Sequence, residues 1–236
     1  MPFFKIKKKT KMMSAAIKLE QAPFPVVALV VSGGHTELIE VHDWCDYSEL
    51  GSTMDDAVGE AFDKVAKLLG LGYPGGPVID RLSEGADETA VRFPKATMKD
   101  GSLDFSFSGL KTAVLLHVRR EEIAPAEGPD DVPGEIRDLV ASFQRAVVAA
   151  LVRGLTRGAE AHRPRSLILT GGVAANSRLR RDAAAAAAEL GLPLFVPPLS
   201  LTTDNAAMIA AAGFVSFCRG ERAGWDLNAE PHLPLG

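Results

Sequence analysis

The chain has 236 residues, 47% hydrophobic and 24% charged, enough to bury one large core or two small ones. Its two cysteines, Cys45 and Cys218, lie far apart, which excludes a disulfide framework and a C-x-x-C metal site and points to a reducing cytoplasm. No apolar stretch reads as long enough to cross a bilayer; the longest, around 206–215, is too short, so no membrane contact is expected.

Residues 1–21, MPFFKIKKKTKMMSAAIKLEQ, carry six lysines and one glutamate, so the rest of the chain holds about −9 of a formal total of −4. The stretch lacks the apolar core and cleavage site of a secretory signal. It reads as an atypical, disordered lysine-rich leader, with a basic nucleic-acid arm as the alternative. Residues 26–41, VVALVVSGGHTELIEV, read as two strands joined at Gly33-Gly34, a pair that reaches positive φ without steric cost. HDWCDYSELG follows as a turn.

In TMDDAVGEAFDKVAKLLGL, Ala57, Ala61, Phe62, Val65, Leu68 and Leu69 recur at helical spacing. Asp55 and Asp56 sit at its start, where the helix dipole favours acids, and Gly70 and Gly72 end it. YPGGPVIDRLSEGA is a loop entering a short helix, with Pro77 in its first turn. Residues 92–107 are irregular, SFSGLKTAVLLHVRRE is helical, and IAPAEGPDDVPGE is a loop. A long amphipathic helix follows, with Leu139, Phe143, Val147, Leu151 and Leu155 on its apolar face.

RSLILTGGVAANSRLRRDAAAAAAELGLPLFVPP then reads strand, glycine turn, helix, strand, a βαβ unit with parallel pairing. The last firm element is a small-residue helix in TTDNAAMIAAAGFVSFCRG, capped by Thr203 or Asp204. The organisation expected is a leader at 1–21, an α/β lobe at 22–220 with a helical insertion at 52–135, and a tail at 221–236.

Two apolar strands end in glycine pairs, LVVSGGHT and LILTGGVAAN, the second feeding a helix near Asn176. Freed backbone amides at such turns point positive dipoles at anions, and a nucleotide would suit both. With the final TTDNAAMIAAAG, the element order resembles one lobe of the actin-like ATPase superfamily, a ribonuclease H-like mixed sheet flanked by helices.

The strings VSGGHTEL, DDAVGEAFDKVAKLLGLGYPGGPVID, DFSFSGLKTAV, TGGVAANSRLR and TDNAAMIAAAG resemble the tRNA threonylcarbamoyladenosine transferase family, formerly the O-sialoglycoprotein endopeptidases, over roughly 22–219. The resemblance implies transfer of threonylcarbamoyl from its adenylate to adenosine 37 of tRNA. It places the adenylate against Val30, Val31, Ser32, Gly33, Gly34, Asp63, Gly76, Asp80 and Asn176, and a metal ligand, for iron or zinc, at Asp204. Asp63 and Asp80 are suited to accepting from ribose hydroxyls, and Asn176 both donates and accepts.

Structural roles remain open beside these. Asp63 could pair with Lys67 at i,i+4, Asp80 could face solvent, and Asn176 and Asp204 could simply cap helices. His35 invites a role as a base, yet the resemblance assigns it none, and its role stays open. Arg178, Arg180 and Arg181 cluster on one helix start as either a basic patch or a solvated face.

The family's metal site also uses an H-x-x-x-H helix before the strand near Pro25, because histidines at i and i+4 share a helix face. None of His35, His42, His117, His162 and His232 lies four positions from another. The expectation is a C-terminal lobe without the first lobe or a complete metal site. The resemblance further implies tRNA as substrate, engaged with a noncatalytic paralogue, an ATPase subunit and a separate enzyme that makes the adenylate. A noncatalytic nucleotide-binding scaffold and a metalloprotease are the competing readings, the last without an H-E-x-x-H motif to support it.

Overall fold

A computed structural model describes residues 23–225 apart from 45 and 99, together with 228. The lysine-rich leader, Cys45, His232 and most of the tail lie outside the described residues.

The sheet is built around VVALVV, the strand β1 (Val26–Val31), whose six residues are all buried. A strand covered on both faces reads as a continuous apolar run rather than an alternation. It pairs antiparallel with β2 (Thr36–Asp43), Val26 opposite Val41 and Val31 opposite Thr36, and parallel with β4 (Ser166–Thr170), Val26 opposite Ser166 and Val30 opposite Thr170. With β3 (Asp46–Ser52) and β5 (Leu194–Phe195) the order is β3-β2-β1-β4-β5, a mixed five-stranded sheet. β2 also has both faces covered over its first four residues, which is why its sequence alternates poorly.

The segment HDWCDYSELG, expected as a turn, instead forms most of β3. An edge strand buries little: only Tyr47 and Gly51 are covered, so polar residues at 46, 48 and 49 hide its period. Its register against β2 shifts at two places, a further reason that strict alternation fails.

Between β3 and β4 the chain forms α1 (Val58–Leu68), α2 (Gly75–Leu82), α3 (Ser108–Arg120) and α4 (Gly134–His162). These pack on the face carrying Val27, Leu29, Val31, Leu38 and Leu167, with Phe62 edge-on to Phe143 at 5.5 Å between ring centres. α4 passes so close to the sheet that a Cβ on Gly158 would meet the Leu38 side chain at 2.6 Å. By length and composition α4 could cross a membrane, contrary to the expectation that no stretch is long enough. Yet 67% of its most apolar window is buried within the fold, as in the core helix of a globular protein.

Asp55 and Asp56 do not serve the start of α1. That helix begins at Val58, whose N–H donates to the buried Thr36 hydroxyl of β2 at 2.8 Å. Asp55 instead accepts from the Phe107 N–H and the Ser106 and Ser108 hydroxyls at the start of α3, while Asp56 pairs with Lys64 at 2.6 Å and Lys111 at 2.7 Å. The irregular stretch after α2 is fastened to α4 through carbonyl oxygens: Arg137 donates to Glu84, Arg153 to Ala96 and Arg157 to Ser102.

After β4 a short 3-10 turn, Gly172–Ala175, leads into α5 (Ser177–Glu189). The last helix among the described residues, α6 (Ala206–Cys218), covers the other sheet face, where Val26, Ala28, Val30, Ile168 and Ala212 cluster. Its cap is Asn205, whose side chain accepts from Met208 N–H at 3.0 Å, and not Thr203 or Asp204. TTDN offers cap-competent residues in succession, so only the position where the helix begins selects among them.

Candidate functional site

The parallel register of β1 with β4 sets the site. Val30 lies opposite Thr170, so both strands end level and their glycine turns emerge side by side. Gly171 sits at φ +99°, and a Cβ there would collide with the Val31 carbonyl; the position demands glycine. The hairpin turn behaves differently. Gly33 and Gly34 do not take positive φ, contrary to the expectation, and a Cβ on either would meet nothing within 4 Å. Their bare backbone borders open space instead.

That turn is closed by the Ser32 N–H donating to the His35 carbonyl at 2.8 Å and by the His35 N–H donating to Ser32 Oγ at 3.2 Å. Gly59 in the first turn of α1 supports it from below, where a Cβ would lie 2.7 Å from Gly33 Cα. α1 and α2 approach equally closely at Gly75, whose Cβ would meet the Phe62 carbonyl at 2.6 Å. There Asp63 accepts from the Gly75 N–H at 2.7 Å rather than pairing with Lys67. Asp80, at the far end of α2, does not simply face solvent: it accepts from both the Ser177 N–H at 2.9 Å and the Ser177 hydroxyl at 2.8 Å, binding the positive end of α5.

These contacts enclose a cleft of about 920 Å³ bordered by Gly33, Asp63, Gly76, Asp80, Gly172 and Asn176. Five of the nine residues expected to meet the adenylate therefore share one cavity. Val30 and Val31 are buried in β1, Ser32 is buried inside its turn, and Gly34 is exposed beside it; none of the four borders the cleft. His35 does not border it either.

Asn176 caps α5, accepting from the Leu179 N–H at 2.9 Å, and its Nδ2 donates to Gln144 at 2.8 Å. Gln144 and Gly59 border the cleft and were not singled out from the sequence. The available signals were a glutamine interrupting the apolar stripe of α4 and a glycine inside the first turn of a helix.

The arginine cluster is not a continuous basic patch. Arg178 pairs with Glu88 and with Asp182 at 3.1 Å, and Arg181 reaches Asp182 at 3.3 Å. Arg180 donates to the carbonyls of Ala174 and Pro197, and burial lowers its pKa.

Asp204 is exposed and does not border the cleft, although its neighbour Thr203 does. Among the described residues no three of His, Cys, Asp and Glu come close enough to hold a metal ion. The described donors do not fit a complete iron or zinc centre, which generally takes three or more protein ligands.

The cleft joins bare backbone at two strand ends with carboxylates and two carboxamides on its walls, groups suited to phosphate, to sugar hydroxyls and to a base. A mixed sheet in this strand order, with glycine turns at the ends of its central strands, is a lobe of the actin-like ATPase fold. The crystal structure of HypF from T. kodakarensis shares the fold, with a TM-score of 0.51 and 16% identity over 74% of this chain and 21% of that one.

The TsaD family model, tRNA N6-adenosine threonylcarbamoyltransferase, matches residues 3–211, and the chain belongs to this family. The match begins within the lysine-rich segment at 1–21. The tRNA N6-adenosine threonylcarbamoyltransferase of Anaeromyxobacter dehalogenans is 57% identical over 219 residues, covering 92% of this chain and 64% of the relative. That of Moorella thermoacetica is 49% identical over 217 residues, covering 90% and 60%. The chain thus spans less than two thirds of the length of these curated relatives.

Proposed function

We propose that this chain forms the adenylate-binding lobe of a tRNA-modifying acyltransferase that moves threonylcarbamoyl from threonylcarbamoyl-adenylate to adenosine 37 of tRNA. The convergence of Gly33, Asp63, Gly76, Asp80 and Asn176 on one cleft carries the reading. In the transfer, the adenosine N6 amine attacks the carbamoyl carbon, the bond from that carbon to the adenylate phosphate oxygen breaks, AMP departs, and the amine loses a proton. Negative charge grows on the carbamoyl oxygen and on the leaving phosphate, next to strand-end amides that need no reorganisation to receive it.

Asp63 and Asp80 each retain acceptor capacity beyond their present hydrogen bonds and take the ribose hydroxyls. The metal expected of the family, iron or zinc, with Asp204 as one ligand, requires donors beyond the described residues, and no step is assigned to it. The tRNA is engaged with help from partner proteins, a noncatalytic paralogue and an ATPase subunit, in the cytoplasm.

Calorimetric titration of the chain with AMP tests the binding reading, and Asp80→Ala is expected to weaken binding roughly tenfold through loss of a charge-assisted hydrogen bond. Failure of the unsubstituted chain to bind AMP overturns it. The transfer reading is tested by supplying threonylcarbamoyl-adenylate, tRNA and the partner proteins. Modified adenosine that depends on this chain supports it, and product formed equally well without the chain counts against it.

A further inference from the structure

Gln144 lies in the apolar stripe of α4 beside Phe143, is 3% exposed, and borders the cleft. A polar side chain so deeply placed destabilises the fold unless its groups are partnered. Its orientation is dictated from α5 in two steps. The Leu179 N–H can only donate, so the Asn176 atom 2.9 Å away is Oδ1, and Nδ2 turns toward Gln144. Nδ2 can only donate, so the Gln144 atom 2.8 Å away is Oε1. Nε2, with two N–H groups, is left on the other side of the carboxamide. No acceptor among the described residues takes those donors, and Gln144 borders the cleft, from which a ligand can reach them.

We infer that Gln144 determines specificity in this cleft by donating an Nε2 N–H to a ring nitrogen of the adenine base. The inference rests on the nucleotide reading above. Ribose hydroxyls can donate, and the walls meet them with the carboxylates of Asp63 and Asp80. The ring nitrogens of adenine can only accept, and they need donors that are buried and held in place. The Gln144 carboxamide is such a donor because the cap of α5 fixes Asn176 and Asn176 fixes Gln144. A donor locked in this way favours a base with a lone pair opposite it and leaves an unpaired N–H against a base without one.

The test is calorimetry on the full chain with AMP and its 1-deaza, 3-deaza and 7-deaza analogues, for the unsubstituted protein, Gln144→Met and Gln144→Glu. Methionine keeps the length and removes the amide. Glutamate keeps an oxygen for Asn176 Nδ2 but, when ionised, donates nothing. The unsubstituted chain is expected to bind one deaza analogue roughly five- to tenfold more weakly than AMP, the worth of one hydrogen bond. Both variants should bind AMP more weakly by a similar factor and should no longer distinguish that analogue from AMP. Gln144→Glu should recover AMP affinity as falling pH protonates its carboxyl, whereas Gln144→Met should not.

Variants that keep the discrimination overturn the inference. So does a uniform loss across all four ligands, which marks a packing role alone. An unsubstituted chain that binds AMP but discriminates against none of the analogues overturns the inference and leaves the nucleotide reading standing, whereas one that binds no AMP overturns that reading first. If Gln144→Met does not fold, Gln144→Glu and its pH profile decide.

Discussion

Asp55 shows how little a residue's neighbours in sequence reveal about its work. Three residues ahead of α1, it holds the first turn of α3 through the Phe107 N–H at 2.9 Å and the Ser106 and Ser108 hydroxyls at 2.6 Å each. Asp55→Ala is expected to cost about 1–3 kcal/mol, because it leaves the part-buried Phe107 N–H without its charged acceptor, measured by urea unfolding at neutral pH. Partial burial raises the Asp55 pKa, but the hydrogen bonds from Ser106, Ser108 and Phe107 outweigh it and hold the carboxyl below its ordinary 3.8. A carboxylate whose pKa is depressed by folding stabilises fully above its unfolded value. Its contribution then fades as pH falls from about 3.8 through the lower folded value. Acid unfolding followed across that window should therefore show a steeper loss in the native chain than in Asp55→Ala. At this scale the sequence strings brought Asp63, Asp80 and Asn176 forward as candidates, and the fold sets all three along one cleft. Gln144 was not, since its meaning depends on Asn176, which lies a helix and a strand away.

Glycines at the junctions between elements separate two physical roles. Gly59 is a packing requirement: its missing Cβ lets α1 rest on the hairpin turn, so Gly59→Ala should destabilise by about 1–3 kcal/mol, as overpacking does, read by thermal or urea unfolding. Gly33 is a space requirement. Gly33→Ala meets nothing in the fold and should change stability by no more than about 0.5 kcal/mol, while weaker AMP binding is expected because the added methyl group stands on a residue that borders the cleft. The long helices were legible from apolar periodicity, since each presents one face to the core, and β4 from a continuous apolar run ending in a glycine turn, since it is buried throughout. β3 was not, because an edge strand with only Tyr47 and Gly51 covered carries too little buried surface to write a pattern. The cap of α6 was misplaced by one or two residues for a related reason: Thr203, Asp204 and Asn205 are chemically interchangeable there until the helix start is known.

Across the molecule, burial predicts a gradient of local stability. β1, β4 and the inner face of α4 are sealed, whereas α6 buries only Met208 and Ala212 and leaves Phe214 and Phe217 largely exposed. Amide hydrogen exchange should be slowest in β1 and β4 and fastest, among the helices after β4, in α6. Protection in α6 equal to that of β1 would contradict this gradient.

The pairing of β1 with β4 also governs when the cleft can come into being. Val26 and Ser166 are neighbours in the sheet but stand about 140 residues apart in the chain, and closing such a loop is slow relative to forming local hairpins and helices. The β1–β2 hairpin with its Gly33-Gly34 turn can form early from adjacent residues, while Gly171 reaches its place against Val31 only once that long-range pairing is made. During refolding, the capacity to bind nucleotide should appear after most helical signal has returned, as the last property the sheet acquires.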